Sequence, residues 1–280
     1  MLKRYSILLL LLITCVAAAQ AFVFEPINQD YAPSGKNSNH IFRVANPGTE
    51  KIAVKISIRP RYLEPDGTEI QGEVSDLFSV YPKQILLEPN ESRSIRVKWI
   101  GDAEPAVELP FRIIAQEVPV SFTQTHPAEG ASIRLTYRYE GNIYIIPWGA
   151  KAKLGIKSMK REAETETVTE TVMETVVLEQ ENGEEVESVI EKLVETEVKQ
   201  EFLVFEIENS GTMHTMLNRI ELKLKRDQND TQPIILKDED LKGVAGENML
   251  AESVRIFRIP MPAGIWDGPV YGSIKQVPAK

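Results

Sequence analysis

Ile41-Phe42-Arg43-Val44-Ala45-Asn46-Pro47-Gly48, followed a few residues later by Ile52-Ala53-Val54-Lys55-Ile56-Ser57-Ile58, is the stretch that sets the fold class of this chain. The second run follows with a period of two, the signature of a strand with one face buried. Asn46-Pro47-Gly48 between them is a turn signal, because Pro fixes its backbone and Gly accepts conformations closed to other residues. Two strands and a tight link fit, and no long amphipathic helix announces itself anywhere before Lys160.

Working outward, the same grammar repeats. Pro65-Asp66-Gly67 reads as a turn, Phe78-Ser79-Val80-Tyr81-Pro82 as a short strand and Glu88-Pro89-Asn90-Glu91 as another turn. Ser94-Ile95-Arg96-Val97-Lys98-Trp99 and Phe111-Arg112-Ile113-Ile114-Ala115-Gln116-Glu117-Val118 read as strands. In residues 131–147, Ile133, Leu135 and Tyr137 alternate with Ser132, Arg134 and Thr136 before an apolar run closes on Pro147. About seven short strands at this spacing predict an immunoglobulin-like sandwich.

A second set follows the same plan. Phe202-Leu203-Val204-Phe205-Glu206-Ile207-Glu208 runs into Asn209-Ser210-Gly211 as the first set ran into Asn46-Pro47-Gly48, and residues 217–224, 255–260 and 270–274 supply further strands. The expected class is all-β, two immunoglobulin-like β-sandwich domains, 22–147 and 148–280, joined at a hinge in Pro147-Trp148-Gly149.

At 280 residues with 42% hydrophobic and 26% charged side chains, the chain is long and apolar enough for two cores, which excludes disorder throughout. Lys3 and Arg4, an apolar run over residues 7–16 and the small residues 17–21 have the three-part layout of a secretory signal, so residues 1–21 are expected to be removed on export. No later segment reads as a membrane span. The only cysteine, Cys15, lies in the signal; threonine before it and apolar residues after it disfavour a lipoprotein site, and the mature chain is expected to lack disulfides.

Between residues 160 and 201 the composition changes abruptly to fourteen glutamates against four basic residues, which accounts for essentially the whole net charge of −9. Thr, Val and Glu alternate here, and Asn182-Gly183 is a hairpin signal. Folding about it would set Val176 opposite Val189, Val172 opposite Leu193 and, unfavourably, Glu174 opposite Glu191. Val186, Val189, Ile190, Leu193 and Val194 also fit a helical stripe, so hairpin and helix both stand for the second half. The insertion reads as a solvated acidic extension or as a docking arm for a basic partner.

Residue chemistry gives no catalytic or metal site. His40, His126 and His214 are far apart and lack ligand spacing, and no nucleophile elbow or phosphate-binding loop occurs. No enzyme activity and no cofactor are expected. An acidic chain without a basic patch is not expected to bind nucleic acid. Asn90-Glu91-Ser92 and Asn229-Asp230-Thr231 match a glycosylation triplet that also arises by chance.

The order of several landmarks resembles the periplasmic pilus-assembly chaperones of the chaperone–usher pathway. They are Phe22-Val23-Phe24-Glu25-Pro26, Arg43-Val44-Ala45-Asn46-Pro47, Asp66-Gly67, Phe78-Ser79-Val80-Tyr81-Pro82, Leu87-Glu88-Pro89-Asn90 with Ile95-Arg96-Val97, and Pro110-Phe111-Arg112 with Gln116-Glu117-Val118-Pro119. The likeness covers residues 22–147 best and is looser beyond, through Glu208-Asn209-Ser210-Gly211 and Gly272-Ser273-Ile274; the acidic insertion departs from it.

The resemblance implies a periplasmic boomerang of two sandwiches that binds a secreted pilus or fimbria-like subunit, with an outer-membrane usher as a further partner. The chaperone lends an edge strand to a subunit that lacks one. Ile133, Leu135 and Tyr137 occupy the donor positions, the alternative being that all three face this domain's own core. The family's basic anchors for the subunit carboxylate, in the cleft between domains, are replaced here by Asn28 and Asn142, with Arg138 or Arg134 as the available cations. Ile146 stands where the family has an arginine in an interdomain ion pair, so the joint is expected to rest on apolar packing. The second reading is a non-catalytic immunoglobulin-like adaptor acting through the acidic extension.

Overall fold

The computed structural model describes residues 21–120, 135–179, 185–227 and 229–277. All but the last residue of the expected signal, together with Ile133, Arg134 and His126, lie outside them.

Ten strands build the first unit: β1 (Val23–Glu25), β2 (Asn28–Tyr31), β3 (Asn39–Ala45), β4 (Ile52–Leu63), β5 (Glu69–Gln71), β6 (Phe78–Tyr81), β7 (Gln84–Leu87), β8 (Ser92–Trp99), β9 (Leu109–Val118) and β10 (Arg138–Ile145). One sheet has the order β1-β3-β8-β6 and the other β2-β10-β9-β4-β5, with β7 also on β4. The alternation read in the sequence becomes the core: Phe42, Val44, Ile95 and Val97 from the first sheet meet Ile56, Ile58, Ile113 and Ile143 from the second. Phe78 packs edge-on against Trp99 and Phe111, with ring centroids 5.1 and 4.9 Å apart.

β3 and β4 do not pair with each other; the Asn46-Pro47-Gly48 link carries the chain from one sheet to the other. Asn46, nearly buried, holds that corner. Its Nδ2 donates to the carbonyls of Glu50 at 2.7 Å, Glu88 at 3.1 Å and Leu87 at 3.3 Å, and its Oδ1 accepts from the Gly48 amide.

The second unit contains β11 (Leu154–Glu179), β12 (Glu185–Asn209), β13 (Thr215–Met216), β14 (Ile220–Lys225), β15 (Ile234–Lys237), β16 (Asn248–Met249), β17 (Ser253–Pro260) and β18 (Tyr271–Gln276). Sheets of order β11-β12-β17 and β15-β14-β18 enclose a separate core that includes Leu203, Phe205, Ile207, Leu222, Leu224, Phe257 and Ile259. Asn209 repeats the part of Asn46: its Nδ2 donates to the carbonyls of Met213 and Leu250, both at 2.9 Å, and Met249 at 3.4 Å. Its Oδ1 accepts from the Gly211 and Lys153 amides.

β11 and β12 pair antiparallel along their whole described length, so the second half of the acidic segment is strand and not helix. The register differs by one residue from the one read in the sequence. Val176 lies opposite Ser188, Val172 opposite Lys192 and Glu174 opposite Ile190. This register removes the opposition of Glu174 to Glu191 and brings Lys192 Nζ within 3.0 Å of Glu174 Oε2, replacing a repulsion by an ion pair. Two shorter differences stand beside it: strand β10 begins at Arg138, after Leu135 and Tyr137, and β14 begins at Ile220 instead of Leu217.

Candidate functional site

The first sandwich leaves one strand half-partnered. β10 pairs with β9 from Arg138 to Ile145, but β2 covers its other edge only from Asn142 to Ile145. The cover ends where Asn142 N donates to Ile27 O at 2.7 Å. Gly141 is required at that point, because a Cβ there would collide with the Ile27 carbonyl. Upstream, among the described residues, no strand lies against that edge of β10.

Leu135, just before this edge, is 62% exposed. Tyr137 is half-buried against its own sandwich core, and its carbonyl accepts from Glu117 N at 2.9 Å, which extends the β9 ladder beyond the strand proper. Tyr139 continues the core-facing row and packs edge-on to Phe22.

The opposite parity of β10 carries a row of polar residues. Pairing aligns Asn28, Asn142, Arg112 and Arg59 in one row across β2, β10, β9 and β4. Asn142 Nδ2 donates to Asn28 Oδ1 at 2.7 Å, and Arg112 donates to Asn142 Oδ1 at 2.5 Å. Arg112 also clamps Glu69 with two nitrogens, while Arg61 Nε donates to the same carboxylate at 2.8 Å. Arg138 instead turns outward and pairs with Glu140 at 2.7 Å.

Arg112, Arg61 and Glu69 were not singled out by the sequence. The signal was there in parity: Arg112 stands between Phe111 and Ile113, both core residues, and so had to face away from the core.

Burial raises the Glu69 carboxyl pKa, but hydrogen bonds from Arg112 and Arg61 outweigh it and hold the group at about 2 against an ordinary 4.5. Because the folded value is the lower one, the ionised carboxylate stabilises the fold fully above pH 4.5, and this contribution is lost as pH falls toward 2. Glu69→Gln is therefore expected to unfold at lower urea than the parent at pH 6, with the gap closing steadily between pH 4.5 and pH 2. A gap independent of pH over that window would sink this account.

The two cores meet through a polar joint, which corrects the expectation of apolar packing at Ile146. Glu108, just before β9, has a fully buried side chain that accepts hydrogen bonds from His214 N and from the His214 Nδ1 position at 2.8 Å. The His214 ring stacks on Tyr144 with centroids 3.7 Å apart. The Tyr144 hydroxyl accepts from Arg61 at 3.0 Å and Asn248 at 2.7 Å. A second contact runs from the turn at Pro65-Asp66-Gly67, where Pro65 O accepts from Ile256 N at 2.7 Å. Gly67, at φ 95°, lies against the Arg255 guanidinium and has no room for a side chain.

No protein-family model matches the chain, and no curated protein is matched either. Among solved structures, a chain from a chaperone–tip adhesin complex of CFA/I fimbriae biogenesis is similar, at 14% identity and a TM-score of 0.50, covering 93% of this chain and 100% of that one. The class 5 fimbriae chaperone CfaA aligns at 14% identity, 92% and 100% coverage and a TM-score of 0.49. The CsuC–CsuE chaperone–tip adhesion subunit pre-assembly complex from archaic chaperone-usher Csu pili of Acinetobacter baumannii aligns at 12% identity, 85% and 90% coverage and a TM-score of 0.46. The shared feature is the β-sandwich fold of the fimbrial chaperones.

Proposed function

We propose that this protein is a non-catalytic periplasmic chaperone, exported by a signal in residues 1–21, that captures a secreted pilus or fimbria-like subunit by lending it the open edge of β10. Its two units are residues 22–147 and 148–280, and an outer-membrane usher is the natural receiver of the captured subunit. The observation that carries this reading is the edge of β10 upstream of Asn142, which has no strand partner among the described residues and is preceded by exposed Leu135. An incoming subunit strand would satisfy that edge's backbone groups, and its groove would take Leu135. Ile133, at the same parity, is the second donor. Tyr137 already packs on its own core, so its contribution is shared between the two surfaces.

The subunit's terminal carboxylate would sit in the cleft beside Asn28 and Asn142. Their amide donors are uncharged, and the positive charge comes from Arg112 behind them, which Glu69 partly neutralises. Arg138 lies at the outer rim.

Burial of a leucine contributes about 1.5–3 kcal/mol, less the cost of ordering the segment. Leu135→Asp is therefore expected to weaken capture by about 2 kcal/mol, or roughly thirtyfold. The measurement is recovery of the subunit that co-purifies at near one-to-one ratio from the host periplasm. Leu135 is exposed, so the variant's thermal unfolding should match the parent's. Undiminished capture by the folded variant would overturn strand donation through this edge.

A further inference from the structure

A second open edge lies far from β10. β17 ends at Pro260, opposite Phe202, whereas β11 and β12 remain paired with each other out to Glu179 and Glu185. Beyond Phe202 the sheet is thus a two-stranded ribbon, about 50 Å long at roughly 3.3 Å per residue. Such a ribbon is marginal by itself in water, and each of its edges is a template for another strand.

Its side chains are sorted by face. Register places Glu191, Leu193, Glu195 and Glu197 of β12 on one face, and Val194, Thr196 and Val198 on the other. Glu174, Glu164 and Glu201 are taken up by Lys192, Arg258 and Lys199, but Glu191, Glu195 and Glu197 have no ion pair among the described residues. On the glutamate face, Met173, Val189 and Leu193 are 64%, 65% and 71% exposed. Met173 sits opposite Glu191 and so lies diagonal to both Val189 and Leu193, within reach of each.

We propose that the β12 edge of this ribbon, continuing the line of β17, docks an extended strand of a partner protein in which basic and apolar residues alternate. Backbone groups would extend the sheet, basic side chains would stand opposite Glu191, Glu195 and Glu197, and apolar ones would cover Val194 and Val198. Charge decides the occupant. A second copy of this chain would bring one glutamate column against another, and an anionic lipid surface is repelled for the same reason. The site does not depend on the β10 edge, so either reading can fail without the other.

The test uses the full chain and a synthetic peptide of alternating lysine and valine, with fluorescence anisotropy as the readout. Binding is expected, weakening as salt rises, and a peptide methylated on its backbone nitrogens should bind at least about tenfold more weakly. Combined Glu191→Lys, Glu195→Lys and Glu197→Lys should weaken binding by about tenfold or more, with subunit capture unchanged. A chain with residues 168–196 replaced by Asn-Gly should not bind, which guards against misfolding of the triple variant. Absence of binding, equal binding of the methylated peptide, or equal binding by the shortened chain would overturn the proposal, as would dimerisation of the parent through the ribbon in sedimentation.

Discussion

Asn46→Ala and Asn209→Ala are each expected to destabilise the sandwich that contains them by about 3 kcal/mol, and to lower the midpoint of the other core by less, since the two share a joint. Each amide sits at a corner where the chain passes out of a strand, and each donates to three backbone carbonyls, of which Leu250 O also accepts from Ser253 Oγ and Glu88 O from Glu91 N. Alanine takes a donor from each of those carbonyls, at about 1–3 kcal/mol where a buried acceptor is left unsatisfied. It also frees the Gly48 and Gly211 amides that the side-chain oxygens hold.

The tryptophans separate the two effects. Trp99 lies in the first core, Trp266 packs against the second, and Trp148 is fully exposed. With Trp148 replaced by Phe, the Trp99 signal should shift by about 1.5 M urea in Asn46→Ala, and the Trp266 signal by a similar amount in Asn209→Ala. Aspartate at either site should be worse than alanine, since a carboxylate cannot donate and sets a negative charge beside three carbonyl oxygens. Midpoints within a few tenths of a molar of the parent would show that the corners hold without these amides.

The second large effect is expected at the joint. Glu108→Ala removes a buried carboxylate and with it the acceptor for both the backbone amide and the ring nitrogen of His214. Losing that acceptor leaves the His214 amide and ring nitrogen short of a partner, at about 1–3 kcal/mol for an unsatisfied buried group, and here that cost falls on the contact between the two cores. The Trp99 and Trp266 transitions should coincide in the parent and separate in Glu108→Ala. Glu108→Gln keeps one acceptor oxygen and should lose about 1 kcal/mol. Coincident transitions in Glu108→Ala would mean that the joint rests on Tyr144, Asn248 and the Pro65 contact without this carboxylate.

The edge of β10, the polar row beside it and the joint were unequally legible in the sequence. Leu135 and Tyr137 could be placed at one parity of one segment, but not which of them the core would take; the structure puts Tyr137 against its own sandwich and leaves Leu135 in solvent. The family resemblance puts Asn28 and Asn142 at the two anchor positions; in the structure they bond to each other. The cation behind them was not legible that way, because Arg112 reaches Asn142 only when β9 lies beside β10 in this register. The ribbon shows the same limit, where the sequence left hairpin and helix both open for the second half and the pairing differs by one residue from the hairpin register it offered.

What the sequence by itself determined is therefore local: the strands, the turns between them, and which side of each strand is apolar, since side-chain alternation follows from backbone geometry within a few residues. The repeated Asn-x-Gly corner was visible for the same reason. Tertiary structure alone decided which strands pair, in what register, and which polar groups meet across the joint. Glu108 and His214 lie 106 residues apart in the chain, and their contact depends on how two separately folded cores pack together.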